Sequence, residues 1–182
     1  MGPLLAFSRA VDRLNFHVGN IAAWAVLLSC GISAGNAFVR YGLSTSSNAW
    51  LEVQWYLFAA TVMLGGAYTL FKNEHVRVDL LYAIYKPRTR LWVDVFGFVV
   101  FMLPGVILLA WMTWPFFLDS FYRNEGSPNA GGLLRWPAKI LMPVGFALLA
   151  LQGVSELIKR IALLRGFGLE PDAIAEYVRP EQ

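Results

Sequence analysis

The sequence predicts an all-α polytopic membrane protein with four transmembrane helices, short interfacial amphipathic helices and both termini in the cytoplasm. Three observations carry this expectation. Of 182 residues, 57% are apolar and 15% charged, where an ordinary soluble domain has roughly 25% charged residues. Mean hydropathy is +0.52, and the charges cluster between long apolar runs. Lys and Arg are also shared unequally between alternate connecting segments.

About 20 helical residues are needed to cross about 30 Å of hydrocarbon, and four runs qualify: 18–39, 51–71, 95–118 and 140–158. The first and third carry no charge, the second has Glu52 near its start, and the fourth has Glu156 near its end. The first run exceeds the roughly 7–15 residues of a signal-peptide core and no A-x-A site follows it, so it reads as a retained signal anchor. Before it, Leu4, Phe7, Val11, Leu14 and Val18 recur at helical spacing opposite Arg9, Asp12 and Arg13. That pattern predicts an amphipathic helix over 1–17 lying in the inner leaflet. A shorter one is expected at 80–85. The membrane domain then covers 18–158, and a solvated cytoplasmic tail covers 159–182.

Orientation follows from the basic residues. Segments 1–17, 72–94 and 159–182 together hold eleven Lys and Arg, against four in 40–50 and 119–139. The excess lies on the cytoplasmic side, which places both termini there. Trp50, Trp55, Trp111, Trp114 and Trp136 fall near the outer span ends and Trp92, Tyr82 and Tyr85 near the inner loop, as interfacial rings do. Pro104 with Gly105, and Pro143, predict kinks or irregular turns. Gln54, Gln152 and Asn36 are expected to hydrogen-bond between helices.

Few residues can support chemistry. The single cysteine, Cys30, excludes an internal disulfide and a thiolate zinc site. His17 and His75, one at a span edge and one in a loop, are poorly placed as haem ligands. There is no G-x-S-x-G, H-E-x-x-H or Walker sequence. No ionisable residue lies at mid-span, where one would mark an ion or substrate path; Glu156 instead precedes Lys159 and Arg160 at ion-pair spacing. The expectation is no enzyme, no catalytic residue, no cofactor, no metal and no nucleic-acid partner. A small-residue stripe runs through Gly19, Ala23, Leu27, Gly31 and Gly35, with a G-x-x-x-G at Gly31 and Gly35 suited to close helix contact inside the chain or with another subunit. The residues leave three classes open: a scaffold subunit, a self-contained four-helix transporter, and a membrane redox subunit.

The stretch GGAYTLFKNEHVRVDLLY, residues 65–82, with its H-V-x-V-D core from His75 through Arg77 to Asp79, resembles the small DctQ-like membrane subunit of tripartite ATP-independent periplasmic (TRAP) transporters. The E-x-Q-W of Glu52 and Trp55, Leu103-Pro104, and EGSPNAGGLLRWPAKILMPVGFALLALQG at 125–153 extend the likeness to nearly the whole chain. The resemblance implies a scaffold subunit in the bacterial inner membrane. It would support a large TRAP membrane subunit in sodium-coupled uptake of an organic anion delivered by a periplasmic substrate-binding protein. In the motif, Asp79 is expected to cap a helix starting at Leu80, with His75 four residues before it, and Arg77 to meet membrane lipids or the partner. In the outer loop, Tyr122, Arg123, Arg135 and Trp136 are expected to form a docking surface.

Overall fold

The computed structural model describes residues 2–45, 47–75 and 84–167. Among them the architecture is all-α: α1 Gly2–Leu43, α2 Asn48–Phe71, α3 Pro87–Gly97, a π-helical turn Phe98–Met102, α4 Leu103–Tyr122, α5 Trp136–Lys139 and α6 Leu141–Leu164. The long helices run alternately up and down. α6 packs against α1, α2 and α4, and α1 also lies along α2.

Among the described residues, three helical stretches are long and apolar enough to cross a membrane: Gly2–Leu43, Pro87–Tyr122 and Trp136–Leu164. They correspond to the first, third and fourth expected spans. α2 has the length, 24 residues or about 36 Å at about 1.5 Å per residue, but is not one of the three.

Helix ends follow local chemistry. Pro87 opens α3 at a position whose N–H would be unpaired anyway, and Lys86 before it is extended, as a residue preceding proline prefers. α2, α4 and α6 end in the same motif, with Asn73, Asn124 and Gly166 in the left-handed region (φ 58°, 49° and 77°). The next residue's N–H then reaches back to Thr69, Ser120 and Ala162 at 3.0, 3.0 and 3.1 Å, which satisfies carbonyls at the helix ends.

The prolines act as expected at two places. Pro104 cannot donate a hydrogen bond and its ring crowds the preceding turn, and the helix absorbs this as the π turn immediately before it. Pro143 sits in the first turn of α6, and the path breaks at Ile140 between α5 and α6. Pro115, inside α4, was not anticipated.

The N-terminal segment needs correction. Residues 2–17 form no separate amphipathic element but continue unbroken into the first span. The apolar stripe of Leu4, Phe7 and Leu14 is 43–50% exposed, while Ser8, Val11 and Asn15 are buried. The polar and small face packs inward because α6 offers matching polar groups there.

Burial is inverted relative to a soluble fold. The largest fully buried side chains are Gln152, Asn15, Ser8, Ser120 and Ser155, whereas Trp24, Phe38 and Trp111 are 65%, 80% and 79% exposed. In hydrocarbon this is the favourable arrangement. Apolar groups there gain nothing by facing inward, and polar groups must find partners within the protein.

Candidate functional site

Polar groups gather at the two ends of the bundle. At the hairpin end, Glu52 near the start of α2 is 2% exposed. Its carboxylate accepts hydrogen bonds from Ser127 Oγ, from Asn129 Nδ2 at 2.9 Å and from the backbone N–H of Leu133 at 2.7 Å. These three donors all come from the segment joining α4 to α5, so one α2 side chain organises the whole crossing. The segment folds back on itself: Ser127 N–H donates to Leu133 O at 2.9 Å and Arg135 N–H to Glu125 O at 2.8 Å. Tyr56 Oη and Asn48 Nδ2 donate to the carbonyls of Leu134 and Ala130 at 2.8 and 2.9 Å. Gly132 is required here, since a Cβ would lie 2.5 Å from Ser127 Cβ and 2.8 Å from Glu52 Oε1.

Below the hairpin, Glu125 bridges two cations. Lys139 pairs with it closely, and Arg135 lies 3.6 Å away. The Lys139 hydrogen bond holds the Glu125 carboxyl below the usual carboxylate range. Lys139 Nζ also sits 4.0 Å from the Phe116 ring centroid, a cation–π contact. Arg123 pairs instead with Asp119 at 2.8 Å on the exposed side of α4. Trp136 packs edge-on against Phe121 at 5.4 Å. The expected docking residues therefore divide: Arg135 and Trp136 are built into the hairpin base, while Tyr122 and Arg123 face outward. Trp55 is 62% exposed.

Glu52→Ala should release this hairpin. The backbone N–H of Leu133 and the side chains of Ser127 and Asn129 would lose their common acceptor, so cleavage within 125–135 by added protease is expected to accelerate at least about tenfold, as for a segment whose local opening becomes easy. Glu52→Gln, which keeps an acceptor oxygen, should fall between. Parental cleavage rates in both variants would show that Glu52 does not hold the hairpin.

At the opposite end a second cluster joins α1, α3 and α6. Lys159 Nζ lies 2.8 Å from both Asp12 and Glu156. Arg160 reaches Glu156 at 2.5 Å and Asp94 at 2.8 Å. Gln152 accepts from Asn15 at 2.7 Å and donates to Asp12 and Glu156 at 2.9 and 3.1 Å. Ser155 Oγ donates to Asp12 at 3.0 Å and lies 2.6 Å from Ser8 Oγ. Glu156, Lys159 and Arg160 are each 2–3% exposed. Aromatic faces complete the enclosure, with Phe71 5.4 Å from Lys159 and Phe98 4.8 Å from Arg160. Cations occupy the space between these carboxylates, which makes the cluster an ion-pair lattice rather than an ion site.

The i+3 and i+4 pairing of Glu156 with Lys159 and Arg160 is present as expected, and so is an inter-helix role for Gln152. Asp12 reads in the sequence as part of the wet side of an interfacial helix, and Asn15 and Ser8 carry no assigned role there. A signal existed: Ser8, Asp12, Asn15 and Gly19 share one face of α1, and Gln152, Ser155, Glu156 and Lys159 share one face of α6. Two polar helix faces of this kind are complementary. Gln54 departs from expectation, since its Nε2 is buried without a hydrogen-bond partner among the described residues. Asn36 lines a groove with Gly31 and Gly35.

Gly31 and Gly35 meet nothing within 4 Å of a Cβ position, whereas Gly19, in the same stripe, abuts the Tyr68 ring carbons at 2.4 Å. Of the stripe only Gly19 packs inward, while Ala23, Leu27, Gly31 and Gly35 are exposed. His75 is exposed in the turn region after α2. Arg77 and Asp79, the rest of the motif, lie outside the described residues, as do residues 80–83 of the expected short helix and the tail from 168 onward.

A family model, that of the DctQ component of tripartite ATP-independent periplasmic transporters, matches residues 29–163. No curated protein and no solved structure matches the chain.

Proposed function

Since the chain belongs to the DctQ family of tripartite ATP-independent periplasmic transporter components, we propose that it is the scaffold subunit of such a transporter in the bacterial inner membrane. In this reading α2, packed against α1 and α6, crosses the bilayer with the other three long helices. Both termini are cytoplasmic and the Glu52 hairpin is periplasmic, the assignment supported by the eleven-to-four split of basic residues. The large membrane subunit carries the substrate and ion sites. A periplasmic binding protein delivers an organic anion, whose uptake is coupled to sodium.

The observation that carries the scaffold role is where this chain spends its charges. Every carboxylate and cation of the buried α1–α6 cluster is engaged within the chain. Moving an organic anion through hydrocarbon requires uncommitted cationic groups or aligned helix ends near mid-bilayer. The sequence places no charged residue there in any of the four runs. Such a chain suits rigid support of a neighbour better than conduction.

Proteoliposomes holding this chain alone should take up no organic acid under an inward sodium gradient, whereas the same vesicles with the large subunit and the binding protein should. Uptake by this chain alone would overturn the scaffold reading.

A further inference from the structure

At the hairpin end, a cavity of about 430 Å³ lies between α2 and the α5–α6 path, with Phe116 of α4 on its third side. Its walls are graded. Along α2 the lining residues are Glu52, Tyr56, Ala59 and Met63; along the facing path they are Arg135, Lys139 and Met142. Both series step by about one helical turn: along α2 from charged through aromatic and small to apolar, and along the facing path from the charged Arg135 and Lys139 to the apolar Met142. Glu52 and Met63 lie eleven residue steps apart, about 16 Å at about 1.5 Å per residue, half of the roughly 30 Å hydrocarbon thickness. Trp55, also in the lining, is 62% exposed, so the slot opens laterally.

We propose that this slot is a binding site for one glycerophospholipid, its phosphodiester on Arg135 and one acyl chain running between Ala59, Met63, Phe116 and Met142. A free anion fits the slot poorly, because an apolar floor follows the charged mouth. A plain hydrocarbon would leave the mouth unmatched. Glu52 is engaged by its three hairpin donors, and Glu125 is taken closely by Lys139. Arg135 has five N–H donors, one ion pair at 3.6 Å and a side chain 45% exposed. Its planar fork suits a phosphate oxygen pair. The proposal rests on the membrane-crossing reading of α2 and α6 but not on transport by any subunit, so uptake by the chain alone would leave it standing.

The test uses the full chain purified in mild detergent and mixed with dioleoyl phosphatidylglycerol, read by native mass spectrometry. One retained phospholipid is expected, with retention falling about tenfold in Arg135→Gln, the factor for losing one strong charge-assisted contact. Dioleoylglycerol, which has the same acyl chains but no phosphodiester, should be retained no better by the parent than by Arg135→Gln. A phosphatidylglycerol carrying a diazirine on its acyl chain should, in the unaltered chain, label peptides containing Ala59, Met63 and Met142. Equal retention by parent and variant, no retained lipid, or labelling spread evenly over the exposed face of α1 would each overturn the site.

Discussion

Replacing Lys159 by Met is expected to destabilise the folded chain by about 3–5 kcal/mol, the usual result of removing one partner from a buried charge pair. In detergent this should appear as a fall of roughly 10 °C in the unfolding midpoint, taking a few degrees per kcal/mol at this chain length. The reason lies in the neighbours that remain. Asp12 and Glu156 both sit 2.8 Å from Lys159 Nζ, and Gln152 Nε2 hydrogen-bonds both of them. Without the ammonium, two carboxylates face each other in a site that excludes water. Methionine fills the volume and lies against Phe71, so lost packing contributes little. Adding Asp12→Asn should recover much of the loss: the asparagine oxygen can still accept from Gln152 and Ser155, and Arg160 remains to balance Glu156. A midpoint within a degree or two of the parent for Lys159→Met, or no recovery in the double variant, would show that the ion pairs are incidental to stability.

Gly145→Leu should prevent stable folding, and even Gly145→Ala should cost about 1–3 kcal/mol, as overpacking does. A Cβ at Gly145 would stand 2.5 Å from the Met63 carbonyl oxygen and 2.9 Å from its carbonyl carbon. Those are backbone atoms of α2, which cannot yield unless the two helices separate. Gly153 provides the contrast. Its Cβ would meet the Met102 sulfur at 2.8 Å, the flexible part of an unbranched side chain, so Gly153→Ala should be the milder change. Gly31→Leu and Gly35→Leu should leave the unfolding midpoint near that of the parent, because a Cβ at either position meets nothing within 4 Å. If their face meets the large subunit, the same two variants should reduce co-purification with it. Thermal unfolding of these five single variants checks the order. A stable Gly145→Leu would show that α2 and α6 do not approach as closely as this.

Much of the fold was legible in the sequence because hydrocarbon imposes a simple rule. A run of some twenty apolar residues has to be helical, since only a helix satisfies its own backbone hydrogen bonds in lipid. Composition and run length were therefore enough to place the long helices to within a few residues in most cases, and to flag the disturbance at Pro104. The i+3 and i+4 pairing of Glu156 with Lys159 and Arg160 was also readable, because those positions are adjacent on any helix. The quoted motifs pointed to the family that residues 29–163 match.

Tertiary structure decided which face of each helix turns inward, and sequence alone misjudged it at α1. An amphipathic pattern shows that two faces differ but not which one is covered. In water the apolar face is covered. Here the Ser8, Asp12 and Asn15 face is covered, because Gln152, Ser155 and Lys159 lie opposite and unpaired polar groups in hydrocarbon are costly. The same limit applied to Glu52, read as a charge at a span end. Its role depends on donors 75 to 81 residues away in sequence, a distance at which local spacing carries no information. It applied again to the small-residue stripe, where spacing alone does not separate Gly19, packed against Tyr68, from Gly31 and Gly35, which a Cβ would leave without a neighbour. Apolar run length is a property of one segment, whereas burial is a property of a pair, and only the packed structure specifies the pair.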